Sequence, residues 1–130
     1  IIKGIGYEEY YKEYILTHRI NGTEAYDKIK EFKEMAKQFL DMGFYLGIGG
    51  VVTFNNAKKL QEVVEYMPMD RMVIETDCPY LAPVPNRGKR NSSLNLPYVA
   101  QAIAELKGIT AEEVIDVTRQ NAEKLLGIHQ

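Results

Sequence analysis

Met72-Val73-Ile74-Glu75-Thr76-Asp77-Cys78-Pro79-Tyr80-Leu81 decides how this chain folds, together with the loop behind it, Pro83-Val84-Pro85-Asn86-Arg87-Gly88-Lys89-Arg90-Asn91. A short apolar run rich in β-branched residues and closed by a proline has the signature of a buried strand. Side chains alternate along a strand, so Val73, Glu75 and Asp77 share one face while Met72, Ile74 and Thr76 share the other. Both acids therefore leave the strand on the same side. Carboxylates at such an exit need a partner, which is a metal, an arginine or a proton.

Upstream of that strand, Phe44 to Val52 reads as another strand with a glycine-rich exit. No Gly-Lys-Ser/Thr follows Gly49-Gly50, which excludes a phosphate-cradling nucleotide loop. Asn55 or Asn56 is expected to cap the next helix, whose buried face is Ala57, Leu60, Val63, Val64 and Met67, and Pro68 stops it. Before this unit, Tyr26, Ile29, Phe32, Ala36, Phe39 and Leu40 form an apolar stripe on a helix from Thr23 that ends near Gly43. At about twenty residues this is either one long helix or two that abut. Tyr14 to Thr17 reads as a strand leading into His18, and Ile1 to Gly6 as a short apolar opening strand. Tyr7, Tyr10, Tyr11 and Tyr14 lie at helical spacing and read as core contacts, since a base-stacking platform would carry more cations than Lys12 alone. Downstream, a helix over 96–106 has Pro97 at its start and Gly108 at its end, Thr110 and Glu113 spell a capping box for a further short helix, and a last helical turn closes at Gly127.

Strands separated by helices of ten or more residues imply right-handed βαβ crossovers and a parallel sheet, an α/β architecture. Function in such sheets gathers at the carboxyl ends of the strands. That end would carry His18, the Gly49–Thr53 turn, Glu75 with Asp77, and the Arg87 loop. With 130 residues the chain has room for one domain, 1–130. A net charge of −2 gives no general attraction to polyanions, so any nucleic-acid contact must be local. One cysteine, Cys78, excludes an internal disulfide and a cysteine-rich zinc site. No apolar run approaches membrane-spanning length, and a soluble cytoplasmic protein without membrane contact is the expectation.

A histidine at one strand end and an aspartate at another are common ligands for Zn or Mn, and the carboxylate can also orient or deprotonate water. Either residue could equally be structural, His18 as a turn residue and Asp77 as a turn cap. Arg87, Lys89 and Arg90 place three cations in one Pro- and Gly-containing loop behind the acids. Cations beside a metal suit a phosphoryl group, because guanidinium binds its oxygens bidentately. The alternative is that Arg87 or Arg90 neutralises Glu75 and stiffens the loop. His129, near the C-terminus, has no role in this reading.

The stretch from Glu75 to Leu81 and the loop from Pro83 to Asn91 closely resemble the last strand and following loop of the TatD family of metal-dependent hydrolases, described as deoxyribonucleases. The resemblance extends through Met35-Ala36-Lys37, Phe44 to Phe54 and Tyr98 to Gly127, roughly residues 35 to 127. It implies a (β/α)8 barrel of TIM type, amidohydrolase-like, that hydrolyses phosphodiester bonds by a metal-bound water, with one or two divalent cations (Zn, Mg or Mn) at its C-terminal mouth. By this resemblance Asp77 is a metal ligand and the catalytic proton acceptor, Glu75 supports it from behind, and Arg87 or Arg90 binds the substrate phosphate. Ile15 to Arg19 followed by Thr23 to Asp27 is similar to the family's fifth strand and the helix after it, which makes His18 a second metal ligand.

The family's His-x-His motif, its strand-four Glu and its strand-six His have no counterpart here. The long helix from Thr23 to Met42 then reads as two family helices joined, with the strand between them missing. A full barrel needs about 250 residues, so this chain is expected to be a partial barrel, truncated or internally deleted and too short to close alone. Three readings follow: a relative of a metal nuclease whose activity is lost or residual, an enzyme completed by a second copy or a complementing partner chain, and a non-catalytic module that binds phosphate or nucleic acid through the Arg87 loop.

Overall fold

A computed structural model describes residues 22–128, with 22–30 described by backbone alone. The expected elements between Ile1 and Thr17, and both histidines, His18 and His129, lie outside the described residues. Helix α1 runs unbroken over Gly22–Asp41, so the long apolar stripe is one helix and not two that abut. It ends where expected. Gly43 takes φ +87°, and its N–H and that of Phe44 turn back to the carbonyls of Leu40 and Phe39 at 2.9 and 3.0 Å. The Phe39 and Phe44 rings meet edge to face across this cap, 5.6 Å between centroids.

Strands β1 (Leu46–Ile48) and β2 (Met72–Ile74) pair in parallel, Leu46 with Met72, Gly47 with Val73 and Ile48 with Ile74. Between them the chain passes through a 3₁₀ turn at Gly50–Thr53, helix α2 (Lys58–Tyr66) and a second 3₁₀ turn at Met69–Arg71, the expected βαβ order. β1 is shorter than the apolar run from Phe44 to Val52 that announces it, because the chain coils at Gly50 and does not extend. Neither Asn55 nor Asn56 caps α2. Its cap residue is the fully buried Ala57, and the side-chain amide of Gln61 donates to the carbonyls of Val52 and Phe54 at 3.0 and 3.1 Å. Burial of Ala57 and the Gln61 bracket fix that start.

A third 3₁₀ turn, Ser93–Asn95, leads into α3 (Leu96–Lys107), and α4 follows over Ala111–Leu126. The two helical pieces expected after Thr110 are one helix. Its capping box is complete, with the Glu113 N–H donating to Thr110 Oγ1 at 3.1 Å and the Thr110 N–H to Glu113 Oε2 at 2.8 Å. Polar residues in its middle do not break it, because Thr118 donates to the Val114 carbonyl and Asn121 donates to Met69 O and Met72 O, each at 2.7 Å.

The core lies between the strand pair and the helices. Ile48, Met67, Met72, Val64, Ile103, Val99 and Val114 are fully buried, with α3 and α4 packed on each other, α3 on the turn after β1, and α4 on β2. Met72 and Ile74, like Leu46 and Ile48, belong to this cluster, whereas the buried Val73 does not. The expected alternation therefore holds within β2, and Glu75, beside Gly49, continues the Val73 side; Asp77 lies beyond the end of the strand. No described helix is long and apolar enough to cross a membrane.

Candidate functional site

The site grows from the carboxyl ends of β1 and β2. The Glu75 N–H donates to the Ile48 carbonyl at 3.0 Å, one step beyond the last paired residues, so Glu75 stands beside Gly49. A Cβ on Gly49 would lie 3.7 Å from both Cγ and Oε1 of Glu75, so the glycine leaves its face of β1 to that carboxylate. Two residues on, Asp77 is half-buried with its Oδ2 enclosed, and its carbonyl accepts from the Tyr80 N–H at 2.8 Å to start the turn. Glu75 and Asp77 each make further interactions.

The loop after Asp77 is fixed against the exit of β1. Leu81 adopts φ 53°, in the left-handed region that a branched side chain rarely visits. Its carbonyl would stand 2.5 Å from a Cβ on Gly50, with Pro83 N at 3.0 Å, so only glycine lets the two backbones approach this closely. Thr53 completes the clamp, donating through Oγ1 to Gly50 O at 2.6 Å and accepting from the Val84 N–H at 2.8 Å. On its other side the loop is held by Asn91, which is 2 % exposed and donates to Tyr80 O at 2.8 Å.

Of the three loop cations, Arg87 has its guanidinium carbon 4.0 Å from the centroid of the buried Phe54 ring, at the end of the β1 turn. A guanidinium resting on a ring keeps its in-plane N–H donors for an anion. Lys89 and Arg90 are exposed on the same loop. Glu75, Asp77, the Gly49–Thr53 turn and the Arg87 loop all follow the carboxyl ends of the parallel pair, while His18 lies outside the described residues. The sequence places the Gly49–Thr53 turn at this end but gives no individual roles to Gly50 and Thr53, and none to Phe54 or Asn91. The Gly-Gly pair was the one available signal, and it marks backbone approach and not phosphate binding.

The two carboxylates supply the hard oxygen donors that a divalent cation prefers. Their number falls short of a site, since no three His, Cys, Asp or Glu side chains cluster among the described residues. The donor chemistry fits a cation, and the described donor set is incomplete.

Comparison with known proteins gives consistent matches. The family model for TatD related DNase matches residues 18–127. The chain is similar to the Bacillus subtilis protein described as uncharacterized metal-dependent hydrolase YabD, at 53% identity over 96 residues, 74% of this chain and 38% of that protein. It is similar also to the uncharacterized metal-dependent hydrolase YcfH of Escherichia coli K12, at 47% identity over 98 residues, 75% of this chain and 37% of that one. Among solved structures it resembles YjjV, a TatD homologue from Escherichia coli K12, with TM-score 0.66 and 26% identity over 72% of this chain and 36% of the other. The chain spans less than two-fifths of the length of the relatives it matches. Its parallel strands and covering helices are a part of the (β/α)8 barrel expected from the sequence.

Proposed function

The chain belongs to the TatD-related DNase family, and from that premise we propose that the exit of β2 forms part of a metal-dependent site that hydrolyses phosphodiester bonds, with DNA as the substrate class. The observation that supports this most is that Glu75 beside Gly49, the half-buried Asp77 two residues on, and a loop whose Arg87 stacks on Phe54 all follow the carboxyl ends of a parallel strand pair. Relatives named metal-dependent hydrolases support the cation. Asp77 would hold it, with Glu75 beside it and His18 as a further donor. A divalent cation bound there would supply Lewis-acid polarisation of a phosphoryl oxygen and lower the pKa of water.

The protein groups divide the remaining work. Asp77 would accept a proton at its carboxylate as water forms a new bond to phosphorus. The P–O bond to the leaving sugar oxygen breaks and that oxygen takes up a proton from water, and Glu75 would help hold that strand end in place. Arg87, whose position is fixed by the ring beneath it, and the exposed Arg90 bind the non-bridging oxygens as negative charge builds. Catalysis at a phosphodiester is mostly positioning and electrostatics, which suits a loop clamped on both sides. Where the donors of one chain are too few, a second copy or a complementing chain would supply the others.

Single-stranded DNA incubated with Mg²⁺, Mn²⁺ or Zn²⁺ tests this, comparing the protein with its Asp77→Asn variant. Metal-dependent cleavage that disappears in a folded Asp77→Asn protein is the expected result. Equal cleavage in both, or none in either, would overturn it, and salt-sensitive DNA binding without cleavage would point to a binding module instead.

A further inference from the structure

Three asparagines in the second half of the loop are joined in series. Asn86 Nδ2 donates to Asn95 Oδ1 at 3.0 Å, Asn95 Nδ2 donates to Asn91 Oδ1 at 3.0 Å, and Asn91 Nδ2 donates to Tyr80 O at 2.8 Å and more distantly to Leu81 O at 3.5 Å. The direction of this chain is forced by chemistry. Tyr80 and Leu81 offer carbonyls, which only accept, so Asn91 must turn its NH₂ to them and its Oδ1 to Asn95. Asn95 must then present its own NH₂, which leaves its Oδ1 for the NH₂ of Asn86. Reversing any one amide would set two donors or two acceptors against each other at each junction that amide makes within the series.

The two ends of the series lie at the two halves of the site. Asn86 adjoins Arg87, and its carbonyl accepts from the Lys89 N–H at 3.0 Å, so it shapes the cationic tip of the loop. Tyr80 donates its N–H to the Asp77 carbonyl at 2.8 Å and closes the turn that carries the carboxylate. Asn91 is 2 % exposed, and its own N–H is bonded to Pro79 O at 2.9 Å, so the middle of the series is locked to the Asp77 turn. Amides in a chain polarise one another, and removing one leaves its neighbours unsatisfied in a poorly solvated place.

We propose that Asn86, Asn95 and Asn91 form a one-way amide relay that couples the position of the Arg87 loop to that of the Asp77 turn, which makes them positioning residues for the site. Its catalytic consequence rests on the hydrolytic reading above. Movement of the cationic tip is felt at the carboxylate through the relay, and the loop is not an independent phosphate clamp.

Amide hydrogen exchange measured by NMR on the full chain tests the coupling without any need for activity. In Asn86→Ala the Lys89 amide lies near the change, while the Tyr80 amide lies at the far end of the relay. The relay predicts exchange at the Tyr80 N–H faster by about five- to tenfold in Asn86→Ala, the size expected for the loss of a cooperative hydrogen bond. Asn95→Asp keeps the shape and the acceptor for Asn86 but removes the donor to Asn91, and should speed exchange at both Tyr80 and Lys89. Faster exchange confined to Lys89 in Asn86→Ala, or an unchanged Tyr80 amide in Asn95→Asp, would refute the relay. Turnover of a phosphodiester with Mn²⁺ in the same proteins is a separate readout: Asn86→Ala should lower kcat as well as raise KM, where a purely local loop role would raise KM alone. Coupled exchange without turnover in any of the proteins would leave the relay standing and remove the hydrolytic reading.

Discussion

Placing a methyl group on Gly50 is the sharpest perturbation of the way the loop is seated. Its Cβ would lie 2.5 Å from Leu81 O, 3.0 Å from Pro83 N and 3.2 Å from Pro83 Cδ, where ordinary contact begins at 3.4 Å. The nearest two are backbone atoms. Leu81 cannot yield easily, since it holds φ 53° and its carbonyl lies under Asn91 Nδ2, and Pro83 is followed by Val84, whose N–H is bonded to Thr53. The loop must lift or the β1 exit must shift, at a cost of about 1–3 kcal/mol for overpacking. With a urea dependence of about 1–3 kcal/mol/M, Gly50→Ala should lower the unfolding midpoint by about 1 M. Gly49→Ala is the control. Its Cβ meets only Glu75 atoms at 3.7 Å, and φ −113° with ψ −169° is extended backbone open to any residue, so alanine should be neutral or stabilise by about 0.4–1 kcal/mol through the unfolded chain. Urea titrations followed by far-UV circular dichroism compare the two. A Gly50→Ala protein as stable as wild type, or a Gly49→Ala protein equally damaged, would refute the close-approach argument.

Two other predictions concern the frame around the site. Asn121→Leu removes the buried donor shared by Met69 O and Met72 O, and although Met69 O keeps the Met72 N–H, the Met72 carbonyl loses the Asn121 donor, so thermal unfolding should show a loss of about 1–3 kcal/mol; an unchanged melting temperature would contradict that role. Lys107 donates to Glu65 O at 3.1 Å and to Met67 O, bracing the end of α2, and burial lowers its pKa below 10.5 while Glu65 works the other way. A lowered lysine means that the folded chain binds fewer protons than the unfolded one between the lowered value and 10.5. The contribution of Lys107 is therefore least favourable at neutral pH and improves as pH rises through that window. The stability difference between wild type and Lys107→Met should follow this slope, and a pH-independent difference would count against it.

What the sequence displayed and what it hid divide along physical lines. Alternation is local, so Met72 and Ile74 packing in the core and Glu75 standing on the other face could be read from the run itself. Caps are local too, as Gly43, Gly108 and the Thr110–Glu113 box show. The end of β1 was not legible, because it depends on Gly50 meeting Leu81, thirty-one positions further along the chain. The α2 start lies one or two residues beyond the expected asparagines for a similar reason, since its cap residue is the buried Ala57 and Gln61 brackets the turn before it. Arg87 rests on Phe54, a contact without any periodic signal in the sequence. Asn86, Asn91 and Asn95 look in sequence like ordinary loop polarity, and only their serial bonding separates them from it.

The central claim is that the exit of β2, with Asp77, is part of a divalent-cation site. Calorimetric titration of Mn²⁺ into the protein and into Asp77→Asn, with circular dichroism to confirm that both are folded, addresses it directly. The account predicts binding in wild type that weakens by at least about 10–100-fold in Asp77→Asn, given that even residues behind a metal ligand cost that much when changed. Equal affinity in the two proteins, or no binding in wild type, would contradict it.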